Sequence, residues 1–219
     1  WYSTFIVKNS SSFSILFKNI LSPSQMFKSY ILSDGTQIEN VYVTEFRKFL
    51  QRCGIDSANF SSDELGKILT ANTSAIRANM SGLLKDRIAW HTTPKDLDRF
   101  NWRAHVGNTT WNTGVYGSGN YFTLNTPGDY GEVHIPVFIN EVQRAIPVPS
   151  KSINAFKINR LPTNTIGIGE TTGGTARWFR KYSGLSEGAQ NEITPEIVIS
   201  RDTGIKSIFP HPSRFIINS

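Results

Sequence analysis

The hydrophobic period of this chain changes once, near Arg87, and that change constrains the fold more than any composition figure. Upstream, apolar residues recur at helical spacing. In "VYVTEFRKFLQRC", residues 41–53, Val43, Phe46, Phe49 and Leu50 share one helical face, and Gly54 follows where a C-cap belongs. A second helix is predicted from Ser62, where "SSDELGKIL" supplies an N-cap serine, early acids, and Leu65, Ile68 and Leu69 on one side. Ile76, Met80, Leu83 and Leu84 in "SAIRANMSGLLKD" continue at similar spacing. Downstream, "RIAWHTT", "NYFTL", "EVHIPVFI", "INAFKIN", "PEIVIS" and "GIKSIFP" are short β-leaning runs punctuated by Gly, Pro, Asn and Asp. The pattern is α+β: a helical N-terminal lobe over residues 1–86 and a mixed or antiparallel sheet assembly over 87–219.

With 219 residues the chain is long enough to close a core without metal or disulfide staples. A single cysteine, Cys53, rules out an internal bridge and points to a reducing, intracellular compartment. No apolar run reaches the roughly 20 residues that span a bilayer. The start at Trp1 instead of Met reads as a fragment or a processed product. Sequons at Asn9, Asn59, Asn72, Asn79 and Asn108 are what an Asn- and Ser-rich chain yields by chance. The net charge of +6 favours a polyanionic partner, nucleic acid or a pyrophosphate cofactor, although no Lys/Arg block concentrates it.

Most catalytic signatures are absent. There is no Walker A loop, no zinc-spaced Cys pair, no H-E-x-x-H and no G-x-S-x-G. His91, His105, His134 and His211 do not cluster at ligand spacing, so no metal is expected. Residues 161–195 are mostly polar and glycine-rich, yet hold Trp178, Phe179 and Tyr182 among Arg177, Arg180 and Lys181. Such a loop either grips a partner or folds as a short amphipathic helix that buries those rings.

Three segments carry a joint signal. "RIAWHTT" ends in His91-Thr92-Thr93, "GSGNYFT" holds Tyr121 with Tyr130 following in "DYG", and "PEIVIS" opens with Glu196, trailed by "GIKSI". Their order resembles the His-Tyr-Glu branch of the ADP-ribosyltransferases, shared by diphtheria-type toxins and poly(ADP-ribose) polymerases. The resemblance covers residues 87–210. G-x-G-x-Y-F alone recurs in unrelated loops, but 30 residues separate His91 from Tyr121 and 75 separate Tyr121 from Glu196, and the ordered set is harder to reach by accident.

The resemblance implies a split β-sheet transferase core that takes NAD as co-substrate and needs no metal. Glu196, His91 and Tyr121 would be the catalytic set. His91, Thr92, Thr93, Gly117, Gly119, Tyr121, Phe122 and Tyr130 would hold the cofactor, with the two tyrosines stacked on the nicotinamide and the glycines letting backbone approach it. As positive charge grows on the ribose, an ionised Glu196 would stabilise it; losing such an interaction costs roughly 3 to 4 kcal/mol of barrier. Arg177, Trp178 and Arg180, in the loop before the glutamate strand, would contact the acceptor, a protein first and nucleic acid second.

Single transfer of ADP-ribose is the simpler expectation, in the chain's own cell or after delivery into a host cell as a toxin or effector. Alternatives are an NAD glycohydrolase, an RNA 2′-phosphotransferase, or an inactive binding module of the same fold. Two departures bear on these: Thr92 stands where the family has glycine, and Pro195 precedes the glutamate where a polar residue is usual. Glu187 and Glu192 are nearby acids, but the apolar alternation after Glu196 puts that residue at a strand start. Taken singly, His91 reads as a structural histidine, Tyr121 as a half-buried strand ring and Glu196 as a solvent-facing strand residue.

Overall fold

The computed structural model describes residues 22–97, 100, 119–124, 127–128, 131–148, 161–170 and 195–215. They form a mixed α+β arrangement with few helices and one large sheet. A short helix α1 (Pro23–Met26) and a hairpin of β1 (Tyr30–Ile31) and β2 (Gln37–Ile38) lead into the two main helices, α2 (Val41–Arg52) and α3 (Ser62–Arg77).

Both long helices start on side-chain caps. Asn40 Oδ1 accepts the Tyr42 amide at 3.0 Å, while its Nδ2 donates to the Met26 carbonyl at 2.8 Å, tying α2 to the turn after α1. Ser61 and Glu64 form a reciprocal capping box at the start of α3. α2 stops at Gly54, whose φ of +76° a side-chain-bearing residue rarely adopts. The apolar stripes are buried as their spacing predicts: Val43, Phe46, Leu50, Leu65 and Leu69 have no exposed surface.

Ile76, Met80, Leu83 and Leu84 do not form a third helix. α3 ends at Arg77, and Gly82, at φ +91°, turns the chain against β-structure: the Leu83 amide donates to the Val142 carbonyl at 2.7 Å. A Cβ at Gly82 would strike the Val142 backbone, so glycine is required there. Leu84 is then buried in one cluster while Met80 packs at the edge of another, and Leu83 is left half exposed.

The sheet strands are β3 (Ala89–Thr93), β4 (Asn120–Thr123), β5 (Val133–Ile139), β6 (Arg144–Val148), β7 (Thr165–Glu170), β8 (Pro195–Ile199) and β9 (Ile205–Ser207). Their spatial order is β6-β7-β8-β4-β3-β5-β9, antiparallel throughout except for the parallel β6–β7 pair. Five of the seven coincide with runs read as strands in the sequence; "INAFKIN" lies outside the described residues. β6 was not read as a strand, and β7 lies in the stretch read as a polar loop. In β7 Gly167 and Gly169 alternate with Ile166 and Ile168, which dilutes the apolar signal while the two isoleucines face the core.

Helices and sheet share one interior. Phe27, Val43, Phe46, Leu50, Leu65 and Leu69 pack with Ile88, Phe138, Ile208 and Phe209 from around β3, β5 and β9. On the other face Ala89, Phe122, Val137, Ile139, Ile197 and Ile199 close a second cluster with Leu84 and Val142. Among the described residues no helix is long and apolar enough to cross a membrane.

Candidate functional site at the split of the sheet

The seven strands divide into two ribbons. β3 and β5 pair along five residues, from Ala89↔Val137 to Thr93↔Val133, and β4 and β8 along four, from Asn120↔Ile199 to Thr123↔Glu196. Between the ribbons the register holds one Cα pair, Trp90↔Thr123. Beyond it the ladder gives way to a side chain: His91 Nδ1 donates to the Tyr121 carbonyl at 2.8 Å. A carbonyl only accepts, so Nδ1 carries the proton and, in the neutral ring, Nε2 is the acceptor.

His91, Tyr121 and Glu196 therefore stand on three consecutive strands, β3, β4 and β8, at the joint of the ribbons. They do not share one face. Side chains alternate along a strand, and partners across a ladder point the same way. Glu196 and Thr123 are partners, as are Tyr121 and Val198, so the phenol and the carboxylate occupy one face together with Trp90. His91 points to the other face, where its ring lies 5.5 Å from Phe122 and 5.1 Å from Phe100. The imidazole meets the tyrosine through backbone, across the split.

Glu196 is buried, at 5 % exposure, and so is not the solvent-facing strand residue that its sequence context alone would make it. On its other flank β7 presents Gly169 opposite Glu196 and Gly167 opposite Val198, so at these two positions no side chain projects from β7 on that face. The I-G-I-G alternation was the available signal, period two with glycine on the site side, but it fell in a stretch read as loop. Tyr121 packs against Leu161 and Val198.

Gly119 has a packing reason of its own. A Cβ there would collide with the Val198 side chain and come within 3.0 Å of the Ile199 carbonyl, so the close approach that demands glycine is that of β8. Asn120 next to it donates to the Arg201 carbonyl at 2.8 Å, and the Arg201 guanidinium donates to Asn164 Oδ1 at 3.0 Å and to the Asn140 carbonyl. One arginine thus joins the turns flanking β5, β7 and β8 at the end of β4.

Thr92 uses its hydroxyl structurally, accepting the Gly128 amide at 3.0 Å. Gly131 meets the Thr93–Pro94 backbone so closely that a Cβ would overlap it. The chain before β5 is thereby seated on the end of β3. Phe122 is buried with Ile197 and Leu124. Gly117, Tyr130, Arg177, Trp178 and Arg180 lie outside the described residues.

Helix α2 backs β3 on the face that carries Glu196. Tyr42 stacks on Trp90 with ring centroids 4.7 Å apart and 19° between planes, and burial pushes its phenol up to about 12. Glu45, also buried, contacts Lys48 at 2.8 Å and His134 Nδ1 at 3.3 Å. Burial alone would raise the Glu45 pKa, yet the imidazole and the ammonium outweigh it and hold the carboxyl below its ordinary value. Arg52 grips Asp96, just past β3, through Nε at 2.9 Å.

Among the described residues no group of three or more His, Cys, Asp or Glu is placed to hold a metal ion. Compared with known proteins, the sequence matches no family model, no curated protein and no solved structure.

Proposed function

We propose that this chain is an NAD-dependent ADP-ribosyltransferase that moves single ADP-ribose units to a macromolecular acceptor. The observation that carries the reading is the adjacency of β3, β4 and β8. Residues that resemble the family pattern yet lie 30 and 75 positions apart come from three neighbouring strands, where the ladder between β3 and β4 narrows to one Cα pair among the described residues. The buried Glu196 and the His91–Tyr121 contact support it further.

In the proposed reaction the bond between ribose C1′ and the nicotinamide nitrogen breaks, and its electron pair leaves with neutral nicotinamide. The Glu196 carboxylate stabilises the positive charge on the ribose, and the acceptor's nucleophile then bonds to C1′ and gives up its proton, with Glu196 as the base. Tyr121 offers a ring to nicotinamide, and the backbone at Thr92 offers groups to its carboxamide.

A second reading has one observation in its favour: the imidazole and the carboxylate lie on opposite faces, as suits a module that binds without reacting. Incubation with labelled NAD and a cell lysate separates the two. Label on a macromolecule with wild type, lost with Glu196→Ala, is the expected result. Free ADP-ribose alone means hydrolysis, and an unchanged NAD pool overturns the enzymatic reading.

A further inference from the structure

Glu45 is a buried carboxylate that the proposed reaction does not use. It projects from α2 onto His134, at the start of β5, and the two make a carboxylate–imidazole pair through Oε2 and Nδ1. The 3.3 Å contact is loose, and neither atom meets hydrogen-bond geometry. It still fixes which edge of the ring faces inward. Nε2 lies on the far side from Glu45, with no hydrogen bond to it among the described residues, and the side chain retains 20 % exposure. A ring with its proton on Nδ1, toward the carboxylate, presents Nε2 as a hydrogen-bond acceptor.

The location gives this acceptor a use. His134 is the cross-strand partner of Thr92, on the same face as Tyr121 and Glu196, at the end of β3 where the ribbons part. At the level of Glu196, β8 to β5 are three strand spacings, about 14 Å, and His134 stands two residues, about 7 Å, further along. An extended dinucleotide with one ribose beside Glu196 reaches that far with the other. We propose that His134, oriented by Glu45, accepts a hydrogen bond from a hydroxyl of the distal, adenine-side ribose. Glu45 is then a positioning residue and His134 a substrate contact. This rests on the dinucleotide reading above.

Calorimetric titration with a non-cleavable carbocyclic NAD analogue, and with nicotinamide mononucleotide, which lacks the adenosine half, tests it. The expected result is a roughly three- to tenfold loss of affinity for the analogue in His134→Phe. His134→Gln, which keeps an acceptor, recovers part of that loss; Glu45→Gln weakens binding to a lesser degree. Affinity for the mononucleotide stays unchanged in all three. Analogue affinity that is flat in His134→Phe overturns the inference and leaves the dinucleotide reading intact, and an equal loss for both ligands overturns it as damage to the fold. Wild type that binds neither ligand sinks the dinucleotide reading and this inference together.

Discussion

The two ribbons of the sheet are held in different ways. The β9-β5-β3 ribbon lies under α2 and α3, whose buried aromatic and aliphatic side chains mesh with Phe138, Ile208 and Phe209. The β6-β7-β8-β4 ribbon has on its Glu196 face only Leu161, Val198 and Tyr121 as an apolar cluster among the described residues, and two glycines on β7. Among the described residues, close packing at Gly119 and the Arg201 ties hold that ribbon together. The contrast teaches where chemistry can sit. His91 and Thr92 belong to the buttressed ribbon, and on the other ribbon β7 meets Glu196 and Val198 with glycines.

The largest effect expected from breaking this contrast is in the buttress. Phe46, with no exposed surface, meets the rings of Phe49, Phe209 and Phe215, and Phe46→Ala is expected to cost about 3–5 kcal/mol. Urea unfolding followed by far-UV and tryptophan signals together checks it. One shared transition at lower urea is the expected outcome, because helices and sheet have a common core, whereas a separate early helical transition would mean that the helices do not brace the ribbon.

A smaller effect is expected on the bare side. Gly119→Ala pushes a methyl into the Val198 side chain and the Ile199 backbone, an overpacking cost of about 1–3 kcal/mol. Amide exchange locates the damage: protection at Phe122 and Ile197 should fall while Val137 keeps its own. Equal losses on both ribbons would erase the distinction drawn between them.

The smallest is an acid effect at the interface of α2 and β5. Glu45 titrates below its ordinary value of 4.5 in the folded protein, so its charge contributes stability above the unfolded-state pKa. That contribution is lost as pH falls through the lower folded value. Wild type should therefore exceed Glu45→Gln in urea midpoint at pH 7, with the gap closing in acid. A gap that does not change with pH would remove the carboxylate's charge from the account.

Much of this fold was legible in the residues because local chemistry and burial agree. The Val43-Phe46-Leu50 stripe, the Ser61–Glu64 cap and Gly54 each specify α2 or α3 without help from distant chain. What stayed hidden depends on contacts far apart in sequence. Leu83 and Leu84 keep a helical spacing that Gly82 overrides by docking on Val142, and β7 owes its strand state to β6 and β8. Of the candidate site, only residue types in order could be read. Its geometry was not: Trp90↔Thr123 sets the alternation, and with it the placing of His91 opposite the face of Tyr121 and Glu196. The use of Thr92 as a latch for Gly128 and the seating of Gly131 on Thr93 were likewise beyond a linear reading.

The central claim is that the opening between β3 and β4 receives the nicotinamide end of NAD. A crystal soaked in nicotinamide tests it most directly. The account expects the ring beside Tyr121, with its carboxamide on the backbone of Thr92 and Glu196 lining the same face; a ring bound elsewhere, or none at saturating concentration, would contradict it.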